Sequence, residues 1–188
     1  MRKILNVFLV LFVLTTLSIA SLLMMNEEQG LSYMREEEKL AHDIYTELYD
    51  KWELNTFKNI ALSEARHTAS VLKLLNDYGY DDPVGTNEIG VFVNSDLQML
   101  YDSLLEIGSQ SKIDAIRVGL LVEEVDIKDL EELLAGNLDS RTRRVYENLL
   151  RGSENHLRSF YNQLIRLGGE YSPTYLDLDR ALSIVSGR

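Results

Sequence analysis

Apolar residues recur at steps of three and four along most of this chain, which is the spacing of one face of an amphipathic helix. Four long segments follow the pattern, at about 31–52, 56–78, 112–134 and 140–167. Glycine-containing stretches end the last three segments, at YDDPVG after Gly79, at Gly136-Asn137 and at Gly168-Gly169. The pattern predicts an all-α protein.

The lengths of the connections predict how these helices are arranged. Only a few residues separate the first helix from the second and the third from the fourth, so each pair should form an antiparallel hairpin. Residues 79–111 connect the hairpins and contain a predicted short helix, SDLQMLYDSLLEIG, that Ser95 opens. We therefore expect an antiparallel four-helix bundle with a long crossover, and one more short helix that begins at Ser172-Pro173.

The first residues follow a different pattern. Two basic residues precede an apolar run at 4–25, and small residues allow cleavage after Ala20. A run of about 20 apolar residues is also long enough to span a bilayer. Residues 1–25 are therefore interpreted as a signal peptide or a retained membrane anchor. Both interpretations place the domain at 26–188 outside the cytoplasm, exported or membrane-anchored.

The charge and the composition exclude several classes of function. The formal net charge is −11, and it becomes −13 without residues 1–25, which hold two basic and no acidic side chains. An acidic domain repels nucleic acid, so no nucleic-acid partner is expected. The chain has no cysteine, which excludes disulfides and thiolate metal sites. No glycine-rich loop follows a predicted strand, so a nucleotide site has no framework.

The second and fourth helices place polar residues in the middle of their apolar faces. Glu64 and His67 are three residues apart in LSEARHTASVLKLL, and Ser153 and His156 have the same spacing in the fourth helix. Residues three apart share one face of a helix, so each pair points at a single place. The apolar residues around the two pairs have matching spacings.

The first and third helices carry acids in corresponding places. Glu38 and Glu123 each interrupt an apolar face, and lysine and arginine are absent from these faces apart from Arg117 near one edge. An unpaired buried carboxylate costs several kcal/mol, so three acids aimed at one core require a cation. Carboxylate oxygen with imidazole nitrogen suits iron, manganese or zinc.

Four stretches resemble the ferritin-like superfamily, in which inward-facing glutamates and a Glu-x-x-His motif bind metal. They read EEEKLAHDIY, FKNIALSEARH, VGLLVEEVDIKDL and VYENLLRGSENHLRSF. Over about 31–167, the sequence is similar to a group of uncharacterised prokaryotic ferritin-like domains of the rubrerythrin or di-iron-carboxylate type. The resemblance implies these metal ligands: Glu38, Glu64, His67, one glutamate of Glu123-Glu124, and His156.

The chain departs from the di-iron pattern in its fourth helix. Ser153 stands where a glutamate should precede His156 by three residues. Asp126 or His42 would compensate for the missing acid; otherwise the site holds one metal or an asymmetric pair.

In the third helix, the sequence does not decide whether Glu123 or Glu124 is the metal ligand. Membership of the apolar face favours Glu123, whereas comparison of the apolar neighbours with those of Glu38 favours Glu124. The remaining acids of REEEK at 35–39 and of EEVDIKDLEELL at 123–134 are expected on solvated faces.

The resemblance implies an iron-binding protein with one or two ions per chain that oxidises Fe(II) or reduces hydrogen peroxide, with oxygen or peroxide as partner. The alternative is a non-catalytic metal-binding or interaction module with a single structural metal. We also expect a homodimer and a membrane tether through residues 4–25.

Overall fold

A computed structural model describes residue 22 and residues 24–187. That part of the chain contains six complete α-helices and no strand, which confirms the predicted all-α class. The helices are α1 (Glu27–Trp52), α2 (Asn55–Tyr78), α3 (Ser95–Gly108), α4 (Lys112–Leu134), α5 (Ser140–Arg166) and α6 (Leu178–Ser186). Within the described residues, no helix is long and apolar enough to cross a membrane. The predicted signal peptide or anchor lies almost wholly outside them.

Two helices begin elsewhere than predicted. α1 begins at Glu27 because Asn26 caps it: the Asn26 side chain accepts from the Gln29 N–H, and the Gln29 side chain accepts from the Asn26 N–H. The last helix begins at Leu178, so the predicted start at Ser172-Pro173 was wrong. The backbone at 174–176 is held away from a helix by hydrogen bonds to a glutamate of α4.

The four long helices pack as a closed ring around one core. α1 packs on α2 and α4 packs on α5, with connections at 53–54 and 135–139; α2 also contacts α5, and α1 contacts α4. The connection at 79–94 and α3 lead from α2 to α4, and α3 packs against both α1 and α4. Each long helix therefore presents one face to the same interior.

Three aromatic rings fill the interior on one side of its mid-level. The centroids of Tyr45, Phe57 and Phe160 lie 5.1–5.9 Å apart. Gly119 makes room for this group, because a Cβ at that position would lie 2.6 Å from the Phe160 ring. The close approach of α4 to α5 thus depends on a residue without a side chain.

The charged run at 35–39 is buried, so the predicted solvated face was wrong. All five residues of REEEK are at most 7 % exposed. The connection at 79–94 covers Arg35, Glu36 and Lys39, whereas Glu37 and Glu38 face the other long helices. The Arg35 guanidinium pairs with Asp82, and Lys39 pairs with Asp43 and donates to the Glu88 carbonyl. Glu36 accepts from the backbone N–H groups of Val93 and Asn94 at 2.5 and 3.0 Å. These charges attach the crossover to α1.

Replacing Glu36 should show how much this attachment contributes to stability. Glu36→Gln puts an amide against one of the two backbone N–H groups, and hydrogen bonds to a charged acceptor contribute about 1.5–3 kcal/mol. We expect the free energy of unfolding in urea to fall by about 2 kcal/mol. Glu47→Gln, an exposed position of the same helix, should change it by no more than about 0.5 kcal/mol. Equal effects would contradict the attachment.

Candidate metal centre

Glu64 lies between two histidines in the middle of the ring of helices. Its Oε2 is 2.7 Å from Nδ1 of His67, and its Oε1 is 2.6 Å from Nδ1 of His156. Each of the three side chains offers a ligand atom within 4.8 Å of the others. The two imidazole rings lie nearly parallel, with centroids 5.4 Å apart. The sequence pairs Glu64-His67 and Ser153-His156 therefore face each other across the α2–α5 contact.

One more acid lies beyond each histidine. Glu38 Oε2 on α1 is 3.2 Å from His67 Nδ1, and Glu123 Oε2 on α4 is 3.5 Å from His156 Nδ1. The order acid, imidazole, Glu64, imidazole, acid is nearly symmetric about Glu64. All four long helices thus contribute to one group, as the polar residues in their apolar faces predict.

Asp126 occupies the space beside Ser153. The Ser153 hydroxyl contacts the Asp126 carboxylate and lies 3.0 Å from the Leu149 carbonyl oxygen. A carboxylate from α4 therefore lies next to the position where α5 lacks one. His42 is not brought in, because its Nδ1 is 3.0 Å from Asp43 Oδ1 on a partly exposed part of α1.

Glu124 points away from this group. Its carboxylate accepts from the Tyr171 hydroxyl at 3.0 Å and from three backbone N–H groups at 2.7–3.3 Å, those of residues 174–176. Of the two glutamates that the sequence leaves open, the structure brings only Glu123 to the histidines. Glu124 attaches the segment before α6 to α4.

Several buried polar atoms of the group have no hydrogen-bond partner: Oε1 of Glu38, Oε1 of Glu64, Oδ1 of Asp126 and Nδ1 of His156. Two of these atoms are the pair only 2.6 Å apart, so they are close without being aligned for a hydrogen bond. Among the described residues, no lysine or arginine forms an ion pair with these acids. Atoms that converge without bonding one another fit ligands of a cation, and this donor set suits iron, manganese or zinc.

Protons supply the positive charge in the metal-free protein. Burial opposes the charged form of His67, but Glu38 and Glu64 outweigh it and raise the pKa of His67 to about 11. Burial likewise opposes the charged form of His156, and Glu123 and Glu64 raise its pKa to about 10. Burial would raise the pKa of Glu64, yet the two adjacent imidazoles lower it to about 2.

The other three acids hold their protons more strongly than usual. Burial is the main cause for each, and the neighbouring carboxylates add to it. The pKa of Asp126 rises to about 8 through burial and the charges of Glu123 and Glu64. The pKa values of Glu38 and Glu123 are raised for the same reason. The group as a whole therefore favours the binding of further positive charge.

Two residues that shape the centre lie outside the predicted ligand set. A Cβ at Gly152 would lie 2.5 Å from the His67 ring, so this glycine lets the imidazole lie against α5. A glycine in the middle of a helix costs about 1 kcal/mol relative to alanine, which is the signal that could have identified it. Tyr45 donates from its hydroxyl to Glu123 Oε1 at 2.5 Å. This bond fixes the orientation of the Glu123 carboxylate.

Comparison with known proteins identifies the family. A family model described as an uncharacterized protein domain (DUF2202) matches residues 27–188. The chain belongs to the DUF2202 family. That match spans all six described helices, so the ring and the polar group at its centre lie inside the DUF2202 domain.

A relative from Methanocaldococcus jannaschii can be compared in sequence and in structure. The uncharacterized protein MJ0754 of Methanocaldococcus jannaschii is 45 % identical over 160 residues, which are 85 % of this chain and 86 % of that protein. The crystal structure of the hypothetical protein MJ0754 from Methanococcus jannaschii matches with a TM-score of 0.84 at 44 % identity. That match covers 87 % of this chain and 94 % of the other.

The pKa shifts predict how the stability of the metal-free protein depends on pH. The folded state keeps protons on His67 and His156 above pH 6.5, where the unfolded chain releases them, and on Asp126 up to about pH 8. All three groups therefore stabilise the fold at low pH and lose that contribution as pH rises. Each retained proton costs about 1.4 kcal/mol per pH unit.

We expect the free energy of unfolding of chelator-treated protein, measured in urea, to fall by about 6 kcal/mol between pH 6.5 and pH 8.5, because each of the three retained protons contributes roughly 1.4 kcal/mol per pH unit. The Glu64→Ala/His67→Ala variant should have a shallower slope, because it lacks one of the histidines and one of the two acids that raise the pKa of the other. A stability that is constant or rises over this range contradicts the assigned charges.

Proposed function

We propose that this DUF2202 protein binds iron at the carboxylate–histidine centre and uses it to oxidise Fe(II) or to reduce hydrogen peroxide. The observation that carries the proposal is the chain of buried acids and imidazoles centred on Glu64, with which no lysine or arginine of the described residues forms an ion pair. Several negative charges in one apolar interior are stable only beside cations.

The ferritin-like arrangement is part of the same proposal. Two helix hairpins joined by a long crossover, with a Glu-x-x-His motif at the mid-level of α2, are what that fold class would display. Glu38, Glu64 and Glu123 come from three different helices and the histidines from α2 and α5, as in a centre built between facing helices. The crossover and α3 are the connection such a bundle requires.

The residues divide naturally between two ions. Glu38 with His67 would hold one ion, Glu123 with His156 the other, and Glu64 lies between them. Asp126 supplies a fourth carboxylate next to Ser153. Four carboxylates balance the charge of two divalent ions, so the absence of a glutamate at position 153 does not leave the centre short of negative charge.

Bound iron supplies one-electron redox chemistry toward oxygen or peroxide. The chain's own residues supply position and protons. Reduction of hydrogen peroxide to two waters consumes two protons and two electrons, and Asp126, ionised beside the metal, would accept and pass on protons next to Ser153. Tyr45 holds Glu123 in place through its hydroxyl, and the rings of Phe57 and Phe160 around Tyr45 exclude water on that side.

A second candidate function is a single structural metal without catalysis. It is favoured by the compactness of Glu64, His67 and His156, whose ligand atoms lie within 4.8 Å and suffice for one ion. Such an ion would join α2 to α5 and raise the melting temperature. It predicts no turnover of oxygen or peroxide.

The decisive experiment is elemental analysis of the full-length chain, purified in mild detergent after expression with iron available. We expect about two irons per chain, because the residues divide into two acid–histidine pairs that share Glu64. Glu64→Ala/His67→Ala should lose the iron, and the exposed Glu47→Gln should retain it. Manganese or zinc in place of iron would revise the metal while retaining the site.

Peroxide consumption in the presence of Fe(II) then separates the two candidate functions. Turnover faster in the wild type than in Glu64→Ala/His67→Ala supports the redox function. About one metal per chain with no turnover supports the structural metal. A folded protein that retains no metal contradicts both.

A further inference from the structure

A second group of buried acids lies between α1 and α4, beside the candidate metal centre. Glu37 follows Tyr33 by one helical turn on α1, and Asp129 follows Asp126 by three residues on α4. The Tyr33 hydroxyl donates to Asp129 Oδ2 at 2.7 Å. Glu37 is 4 % exposed and Asp129 is 8 % exposed. Neither belongs to the chain of residues centred on Glu64.

Glu37 is the residue without an explanation in the charged run at 35–39. Arg35, Glu36 and Lys39 attach the crossover, and Glu38 contacts His67. Both carboxylate oxygens of Glu37 are buried and neither accepts a hydrogen bond from a donor group, while the carboxyl of Asp129 lies within hydrogen-bonding reach of Glu37. A buried carboxylate in this state costs several kcal/mol unless it is protonated or next to a cation.

The charges around Glu37 are negative. Burial and then the carboxylates of Asp129, Asp126 and Glu38 raise the pKa of Glu37 well above its usual value. Lys128 is the basic side chain whose charge reaches Asp129, but its ammonium lies 5.9 Å over the ring of Tyr175 and forms no ion pair in the described part of the chain. No side chain there supplies the missing positive charge.

We propose that Glu37 and Asp129 form a second cation site, with the Tyr33 hydroxyl fixing the Asp129 carboxylate. Its ligands are oxygen atoms alone, which suits a hard divalent cation such as Mn²⁺ or Mg²⁺, and also Fe²⁺. The candidate metal centre differs from it because it includes two imidazole nitrogens. This binding claim rests on Glu37 and Asp129 and is independent of the proposed redox function.

The position of the second site indicates its use. Asp126, Asp129 and Glu132 follow one another every three residues along α4, so they wind around the helix from the core toward its surface. Asp126 is buried, Asp129 nearly so, and Glu132 is partly exposed with a buried Oε2 that has no partner. The charges of Asp126 and Glu38 act on Glu37, so a cation bound by Glu37 and Asp129 would lie close to these two acids of the centre. A cation would bind at this second site before it moves inward to the metal centre. This staging role rests on the proposed function, whereas cation binding itself does not.

Binding of Mn²⁺ to metal-stripped full-length protein in mild detergent tests the site, with free Mn²⁺ counted by its electron paramagnetic resonance signal. The Glu64→Ala/His67→Ala variant, whose centre is broken, should still bind about one Mn²⁺ above the weak background of exposed acids. Adding Glu37→Gln or Asp129→Asn to it should weaken that binding at least about tenfold. Adding Glu47→Gln, exposed on the same helix, should change nothing.

The competing explanation is a proton shared between the Glu37 and Asp129 carboxyl groups. It predicts equal Mn²⁺ binding with and without Glu37→Gln, and that result overturns the site. So does the absence of any Mn²⁺ above background in the variant with the broken centre. Glu37→Gln keeps the shape of the side chain, and Asp129→Asn repeats the test if the first variant does not fold by circular dichroism.

The two proposals can fail separately. A protein that retains no iron but loses Mn²⁺ on Glu37→Gln keeps the second site and loses the redox function. A protein that binds iron at the centre, but whose Mn²⁺ binding is unchanged by Glu37→Gln and Asp129→Asn, keeps the iron centre and loses the second site. The staging role adds one result: Glu37→Gln alone should slow the uptake of Fe(II) by the intact centre while leaving its final iron content unchanged.

Discussion

Negative charge buried in an apolar interior is the constraint on which this structure depends. Glu38, Glu64, Glu123 and Asp126 lie at most 6 % exposed at the mid-level of four helices, and the described basic side chains near them are engaged elsewhere. In a low-dielectric core such carboxylates must bind protons or cations. The pKa of His67, raised to about 11, shows how strongly the group attracts positive charge. The proposed metal binding would satisfy all the acids at once.

The same constraint explains why the fold keeps its charged residues where it does. Some buried charged residues of α1 have partners and attach the crossover to the helix. Arg35 pairs with Asp82, and Glu36 accepts from backbone N–H groups. Glu124 does the same for the segment before α6. In the described part of the chain, the acids with buried oxygens that accept no hydrogen bond are Glu37, Glu38, Glu64, Asp126 and Glu132. The structure thus separates charged residues that stabilise the fold from acids that, in the proposed function, would bind a metal.

The sequence was sufficient for the helices and for most of the centre, because both depend on periodicity along single helices. Spacing alone brought Glu64 and His67 to one face and matched them with Ser153 and His156. It could not choose between Glu123 and Glu124, which are neighbours in the chain and differ only in what packs beside them. It also placed the run at 35–39 on a solvated face, since nothing local shows that residues 79–94 fold back over α1. The roles of Gly152 and Glu37 depend on contacts with helices that are distant in sequence, so spacing along one helix could not predict them.

The central claim is that a metal ion satisfies the buried acids, and the melting temperature tests it most directly. Metal-stripped full-length protein at pH 7 is melted without metal and with anaerobic Fe(II), next to the Glu64→Ala/His67→Ala variant. At one hundred times the dissociation constant, a bound ion stabilises the folded state by about 2.7 kcal/mol, or roughly 5–10 °C for a chain of this size. We predict that shift for the wild type and a much smaller one for the variant. A wild type that melts at the same temperature with and without Fe(II) would contradict the account.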